Sequence, residues 1–145
     1  MSASFLSEFD QQRVIEAIQQ AELNSDGEIK IHLEPHCNNL LPLARAKEVF
    51  LQLNLQNTKL RSAVLIYIAY TDHQLAILGD VGIHSQVGDS FWQHEIDNLI
   101  NHFKAGDPAG GLIRVVNDVG EKLTTFFPKS VNNPDEISND LSFGE

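Results

Sequence analysis

Residues 64–80 constrain the fold of this chain more than any other stretch. Val64-Leu65-Ile66-Tyr67-Ile68-Ala69-Tyr70 is an unbroken apolar and aromatic run, rich in β-branched side chains. A run of this length suits a strand covered on both faces. Thr71-Asp72-His73 predicts a short turn, and Gln74-Leu75-Ala76-Ile77-Leu78-Gly79-Asp80 a second strand. So short a connection makes the pair an antiparallel hairpin. Asp80 leaves this hairpin just after Gly79, where backbone can approach closely. That is a common way to place a carboxylate at a sheet edge.

The flanking segments supply helices and one more strand. Ser7 is placed as a cap, with Glu8 and Asp10 in the first turn that follows. Phe9, Val14, Ile18 and Ala21 form a helical stripe that ends near Leu23. Asn24-Ser25-Asp26-Gly27 breaks it. Glu28 to Glu34 alternates, with Ile29, Ile31 and Leu33 on one face and Lys30 and His32 on the other. This predicts a half-covered strand stopped by Pro35. Leu43 to Leu55 returns to helical spacing. Ser90 and Gln93 form a capping box for a third helix with the stripe Trp92, Ile96, Leu99 and Phe103. Asp107-Pro108 opens a fourth, which Pro128 ends.

The order α-β-α-β-β-α-α predicts an α/β fold, a three-layer α/β/α sandwich around a small mixed sheet. The first β-α-β unit is expected to be a right-handed parallel crossover. Residues 1–128 form a single domain by this reading, and 129–145 an acidic disordered tail.

Charge and cysteine usage narrow the function classes. A formal net charge of −10 repels phosphate backbones, which argues against nucleic acid. It favours divalent cations or a basic protein partner. The single cysteine, Cys37, excludes an internal disulfide. His32, His36 and Cys37 fall short of a zinc ligand set. No apolar run approaches the roughly 20 residues of a membrane span. The start lacks a basic region and a long apolar stretch. These features lead to the expectation of a cytoplasmic chain with no membrane span.

Topology brings acids together. The first strand starts at Glu28, the second near Arg61-Ser62, and the third runs back to end at Asp80. All three points share one sheet edge, and Asp89 follows within ten residues. Asp80, Glu28 and Asp89 are therefore candidate ligands of one metal site, with Asp26 in the preceding turn. Clustered carboxylates repel by roughly 1–4 kcal/mol per pair at 4 Å unless a cation intervenes. Calcium and magnesium are the hard cations that suit such oxygens. Structural alternatives stand beside this reading: Glu28 pairing with Arg61, and Asp89 or Asp107 capping a helix. Glu22-Leu23-Asn24-Ser25-Asp26-Gly27 imitates the opening of an EF-hand, but position twelve is Leu33 and a strand follows. No phosphate-binding loop, nucleophile elbow or His-Glu-x-x-His is present.

Several segments together resemble the TPM domain family. They are Ser25-Asp26-Gly27-Glu28-Ile29, Ala63-Val64-Leu65-Ile66-Tyr67-Ile68-Ala69 and Leu75-Ala76-Ile77-Leu78-Gly79-Asp80-Val81-Gly82-Ile83. Val87-Gly88-Asp89-Ser90-Phe91-Trp92, Phe103-Lys104-Ala105-Gly106-Asp107 and Gly111-Leu112 continue the series. The resemblance spans roughly residues 8 to 128. It implies a three-layer α/β/α fold, calcium or magnesium binding by acidic residues, acid-phosphatase activity, and a role in repair or assembly of protein complexes. One departure is notable. Relatives carry an Asp-Asn/His-Gly at the start of the second strand, where this chain has Arg61-Ser62-Ala63. The expected function is a divalent-cation-binding domain. A weak metal-assisted phosphatase and a metal-free interaction module are the alternatives.

Overall fold

The apolar run forms a strand buried along its whole length, and the rest of the fold is arranged around it. The computed structural model describes residues 5–130 and 138–144. In chain order the elements are α1 (Glu8–Glu22), β1 (Glu28–Glu34), α2 (Pro42–Gln52), β2 (Ala63–Ala69) and β3 (Gln74–Gly79). Then come α3 (Val81–Lys104), α4 (Pro108–Phe126) and β4 (Ser142–Phe143). The sheet order is β3-β2-β1-β4. β1 pairs parallel with β2 from Glu28↔Ala63 to Glu34↔Ala69. β2 pairs antiparallel with β3 from Val64↔Gly79 to Ala69↔Gln74. The sheet is therefore mixed, as the hairpin and crossover require.

Alternation along the strands assigns the two faces. Ile29, Ile31, Leu33, Val64, Ile66 and Ile68 pack with residues of α1, α3 and α4, including Val14, Leu99 and Leu112. Ala63, Leu65 and Tyr67 pack on the other face with Ala46, Val49 and Phe50 of α2. Three helices on one face and one on the other make the three layers. Gly27 lets α4 approach β1: a Cβ there would lie 2.5 Å from Leu123 Cδ2.

Local signals set the helix starts. Ser7 Oγ accepts the Asp10 amide at 3.0 Å, and Asp107 Oδ1 accepts that of Gly110 at 3.0 Å. No helix among the described residues is long and apolar enough to cross a membrane.

Three sequence expectations change. β1 is buried on both faces, not half-covered, because α2 and the C-terminal segment cover its polar side. α3 begins at Val81 rather than Ser90. Two helical pieces meet at Gly88, whose φ of 77° and ψ of 173° interrupt the helix. The C-terminal segment is not wholly a disordered tail, because Ser142–Phe143 add β4 beside β1, and the Gly144 amide donates to the Leu33 carbonyl at 2.8 Å. Residues 131–137 and 145 lie outside the described residues.

Candidate functional site

Register places two of the expected acids in one row. Glu28 pairs with Ala63. The Asp80 amide donates to the Ala63 carbonyl at 2.9 Å, which carries the β2–β3 ladder one step past Gly79. Glu28, Ala63 and Asp80 thus cross the sheet side by side, with Cα atoms of the outer two roughly 10 Å apart. Both acids face the α2 side. Gly27 and Gly79 point the opposite way, toward Leu123 and Trp92, and neighbours in a strand alternate. Asp26 lies in the bend before β1, outside the strand alternation. All three carboxylates are nearly inaccessible: 6% exposure for Asp26, 2% for Glu28 and 6% for Asp80.

Asp80 is held from two directions. Arg61 donates to Oδ2 through Nε at 2.6 Å and to Oδ1 through Nη2 at 2.8 Å. This two-pronged pairing is the strongest geometry open to an arginine and a carboxylate. Asp80 is also the N-cap of α3, where Oδ1 accepts the Val81 amide at 2.8 Å. Arg61 itself is half exposed and stands at a positive φ of 54°. Its carbonyl accepts the Gly82 amide at 2.9 Å, and a Cβ on Gly82 would lie 2.6 Å from that oxygen. The first turn of α3 is thereby stitched to the loop that carries Arg61.

The other candidates separate. Asp26 Oδ1 accepts the Ser130 amide at 3.0 Å, which ties the end of β1 to the chain beyond α4. Asp89 does not join the row. It sits beside the Gly88 kink with a side chain 99% exposed, 3.5 Å from His84 Nε2. As a test of fit, the donors Asp26, Glu28 and Asp80 are hard carboxylate oxygens of the type calcium and magnesium prefer. Their arrangement commits both Asp80 oxygens to Arg61. Among the described residues, no group of three His, Cys, Asp or Glu is placed to hold a metal ion.

The polar face of β1 carries a second ensemble that sequence reasoning missed. Glu34 is buried and accepts from Arg45 Nε at 2.8 Å, Arg45 Nη2 at 2.9 Å and Tyr67 Oη at 2.5 Å. His32 Nε2 lies 2.9 Å from Glu34 Oε1, and its Nδ1 2.9 Å from Ser142 Oγ. Burial alone would raise the Glu34 pKa, but hydrogen bonds from Arg45, Tyr67 and His32 outweigh it and hold the group at about 2. Burial lowers the pKa of His32. A neutral ring beside an acceptor-only carboxylate must donate through Nε2 and accept the Ser142 hydroxyl at Nδ1. Lys30 Nζ donates to the Asp140 carbonyl at 2.8 Å. The network is closed by α2 on one side and β4 on the other. It therefore ties the described part of the C-terminal segment to β1.

A family model described as the TPM domain matches residues 1–122. The chain belongs to the TPM domain family. Among solved structures, this TPM domain is similar to the BA42 protein from the psychrophilic bacterium Bizionia argentinensis. That match has 36% identity and a TM-score of 0.88, covering 97% of this chain and 96% of that one. It also shares its fold with the N-terminal domain of the cg2496 protein from Corynebacterium glutamicum. There the identity is 13% and the TM-score 0.58, over 94% of this chain and 79% of that one. No curated protein matches the chain.

Proposed function

We propose that this TPM domain binds a divalent cation, calcium or magnesium, at the sheet edge formed by Asp80, Glu28 and Asp26. Arg61 holds that place in the resting state. One observation supports the reading: the buried carboxylates Glu28 and Asp80 stand in one row at the sheet edge, with buried Asp26 in the bend before β1, and a half-exposed guanidinium engages Asp80. Burying like charges together costs free energy that a cation at their centre offsets. Arg61 stands on a loop with a strained backbone angle and its side chain is half exposed, so a cation arriving at Asp80 would compensate the buried carboxylate as the guanidinium moves into water. Release of Asp80 by Arg61 would free Oδ2, while Oδ1 keeps the Val81 amide as the cap of α3. Asp89 has no part in this site.

The exchange has a readout beyond the ion. Leu60 is 43% exposed and Val81 61% exposed, and they are the sequence neighbours of Arg61 and Asp80. Movement of Arg61 would alter this apolar surface, so the cation would regulate docking of a protein partner. The phosphatase reading has no comparable support from the edge, where the Ser62 hydroxyl is buried and directed to the Asp26 carbonyl at 3.5 Å.

The test is a calcium and magnesium titration of metal-stripped protein, followed by calorimetry and backbone NMR. Saturable shifts centred on Arg61, Asp80 and Val81 are expected. Asp80→Asn should abolish them and Asp89→Asn should leave them intact. A flat response to both ions, or equal loss in both variants, would overturn the reading.

A further inference from the structure

We propose that a cavity at the other end of the sheet binds a small aromatic carboxylate, independently of the acidic edge. The cavity measures about 460 Å³, within the roughly 300–1,000 Å³ of small-molecule sites. It opens where β2 ends, at Ile68, Ala69 and Tyr70. The acidic edge lies at the start of the same strand, roughly 20 Å away. The cavity lies between the end of β2, the start of β3 and the C-terminal part of α3.

Its walls define the body of the ligand. Phe5 stacks on Tyr70 with ring centroids 5.4 Å apart and planes at 17°. It meets Phe103 edge-on at 5.7 Å and 68°. Ile68, Leu75 and Ile100 complete an apolar lining. Rings in these orientations receive a flat aromatic body by offset stacking or edge contact.

Its polar groups define the head. Lys104 and His73 line the cavity, and among the described residues none of its lining is acidic. In a chain with 20 acids and 10 lysines and arginines, an acid-free hollow with a lysine beside it is selective. Asp107, three residues beyond Lys104, is committed to capping α4 through the Gly110 amide. A carboxylate carried on the aromatic body would meet the Lys104 ammonium, while the surrounding negative surface disfavours a second anionic group.

The experiment titrates the intact protein with 2-naphthoate and with its neutral isostere 2-naphthamide, read by amide NMR shifts. Both should saturate with shifts centred on Tyr70, Leu75, Phe103 and Lys104, with naphthoate the tighter. Lys104→Gln should weaken naphthoate about fivefold and change naphthamide less than about twofold, as expected for one partly exposed charge contact. Leu75→Trp should fill the cavity and remove both ligands. Trp is well tolerated in a strand, and an unchanged circular dichroism spectrum would show the fold intact. Lys104 is exposed, so the Lys104→Gln comparison stands even where Leu75→Trp fails to fold. Lack of saturation by either probe, shifts centred elsewhere, or an equal effect of Lys104→Gln on both probes would overturn the proposal.

Discussion

Glu34 and Asp80 are both buried acids paired with an arginine, yet their surroundings assign them different roles. Glu34 is 2% exposed and has four hydrogen-bonding contacts from Arg45, Tyr67 and His32. Its arginine is also shielded, with a side chain 11% exposed. Such a group stays paired. Asp80 is nearly as hidden, but its arginine has a side chain 48% exposed. Glu34→Gln should destabilise the protein by about 3 kcal/mol in urea denaturation at neutral pH, because it leaves the Arg45 charge poorly compensated. The same carboxylate should shape the acid limb of stability. Its folded pKa of about 2 lies below the ordinary 4.5. Its contribution is therefore present above about pH 4.5 and lost as pH falls through about 2. The Glu34→Gln variant should show a shallower decline over that window. Little of this was legible beforehand. Arg45 reads as an ordinary helix charge, and nothing in a one-dimensional pattern reports that it reaches Glu34. The alternation of Lys30 and His32 suggested solvent, whereas the structure covers both with chain contributed from the C terminus.

Elements were easier to foresee than the contacts between them. The hairpin and the caps at Ser7 and Asp107 rest on local chemistry, and each forms as that chemistry requires; in the α1 stripe Val14 and Ile18 are buried, whereas Phe9, in the first turn, is 75% exposed. The start of α3 was missed because Asp80 was read as a site residue, although an Asp at a strand exit also caps whatever helix follows. β4 was missed because two residues carry no periodicity. The contact between α3 and α4 makes its own prediction. Glu95 of α3 is 1% exposed, and burial together with Asp118 of α4 raises its pKa to about 8, against a smaller opposing effect of Arg114. A raised carboxylate pKa means the protonated form is favoured in the folded state. Its stabilising contribution is complete below the unfolded value of about 4.5 and disappears as pH rises through about 8. Thermal denaturation should therefore show Glu95→Gln matching the parent at pH 5 and exceeding it at pH 9. A variant less stable than the parent at pH 9 would contradict this origin of the alkaline limb.

At the scale of the whole molecule, one mixed sheet separates two chemistries. Its strand-start end carries the buried acids Asp26, Glu28 and Asp80, the last paired with Arg61, and its other end holds an aromatic cavity beside Lys104. Sequence topology located the first end correctly, because strand order alone brings Glu28 and Asp80 to one edge. It could not show that Asp89 turns outward at a kink, or that an arginine had taken up Asp80. In the proposed site Arg61 and a divalent cation compete for Asp80. Calorimetric titration of calcium into wild-type and Arg61→Gln protein tests this. Competition predicts saturable binding in both, severalfold tighter in the variant, and lost from either when Asp80 is also changed to Asn. Equal affinity in the two proteins would contradict competition at Asp80, and absence of binding in both would contradict the cation site itself.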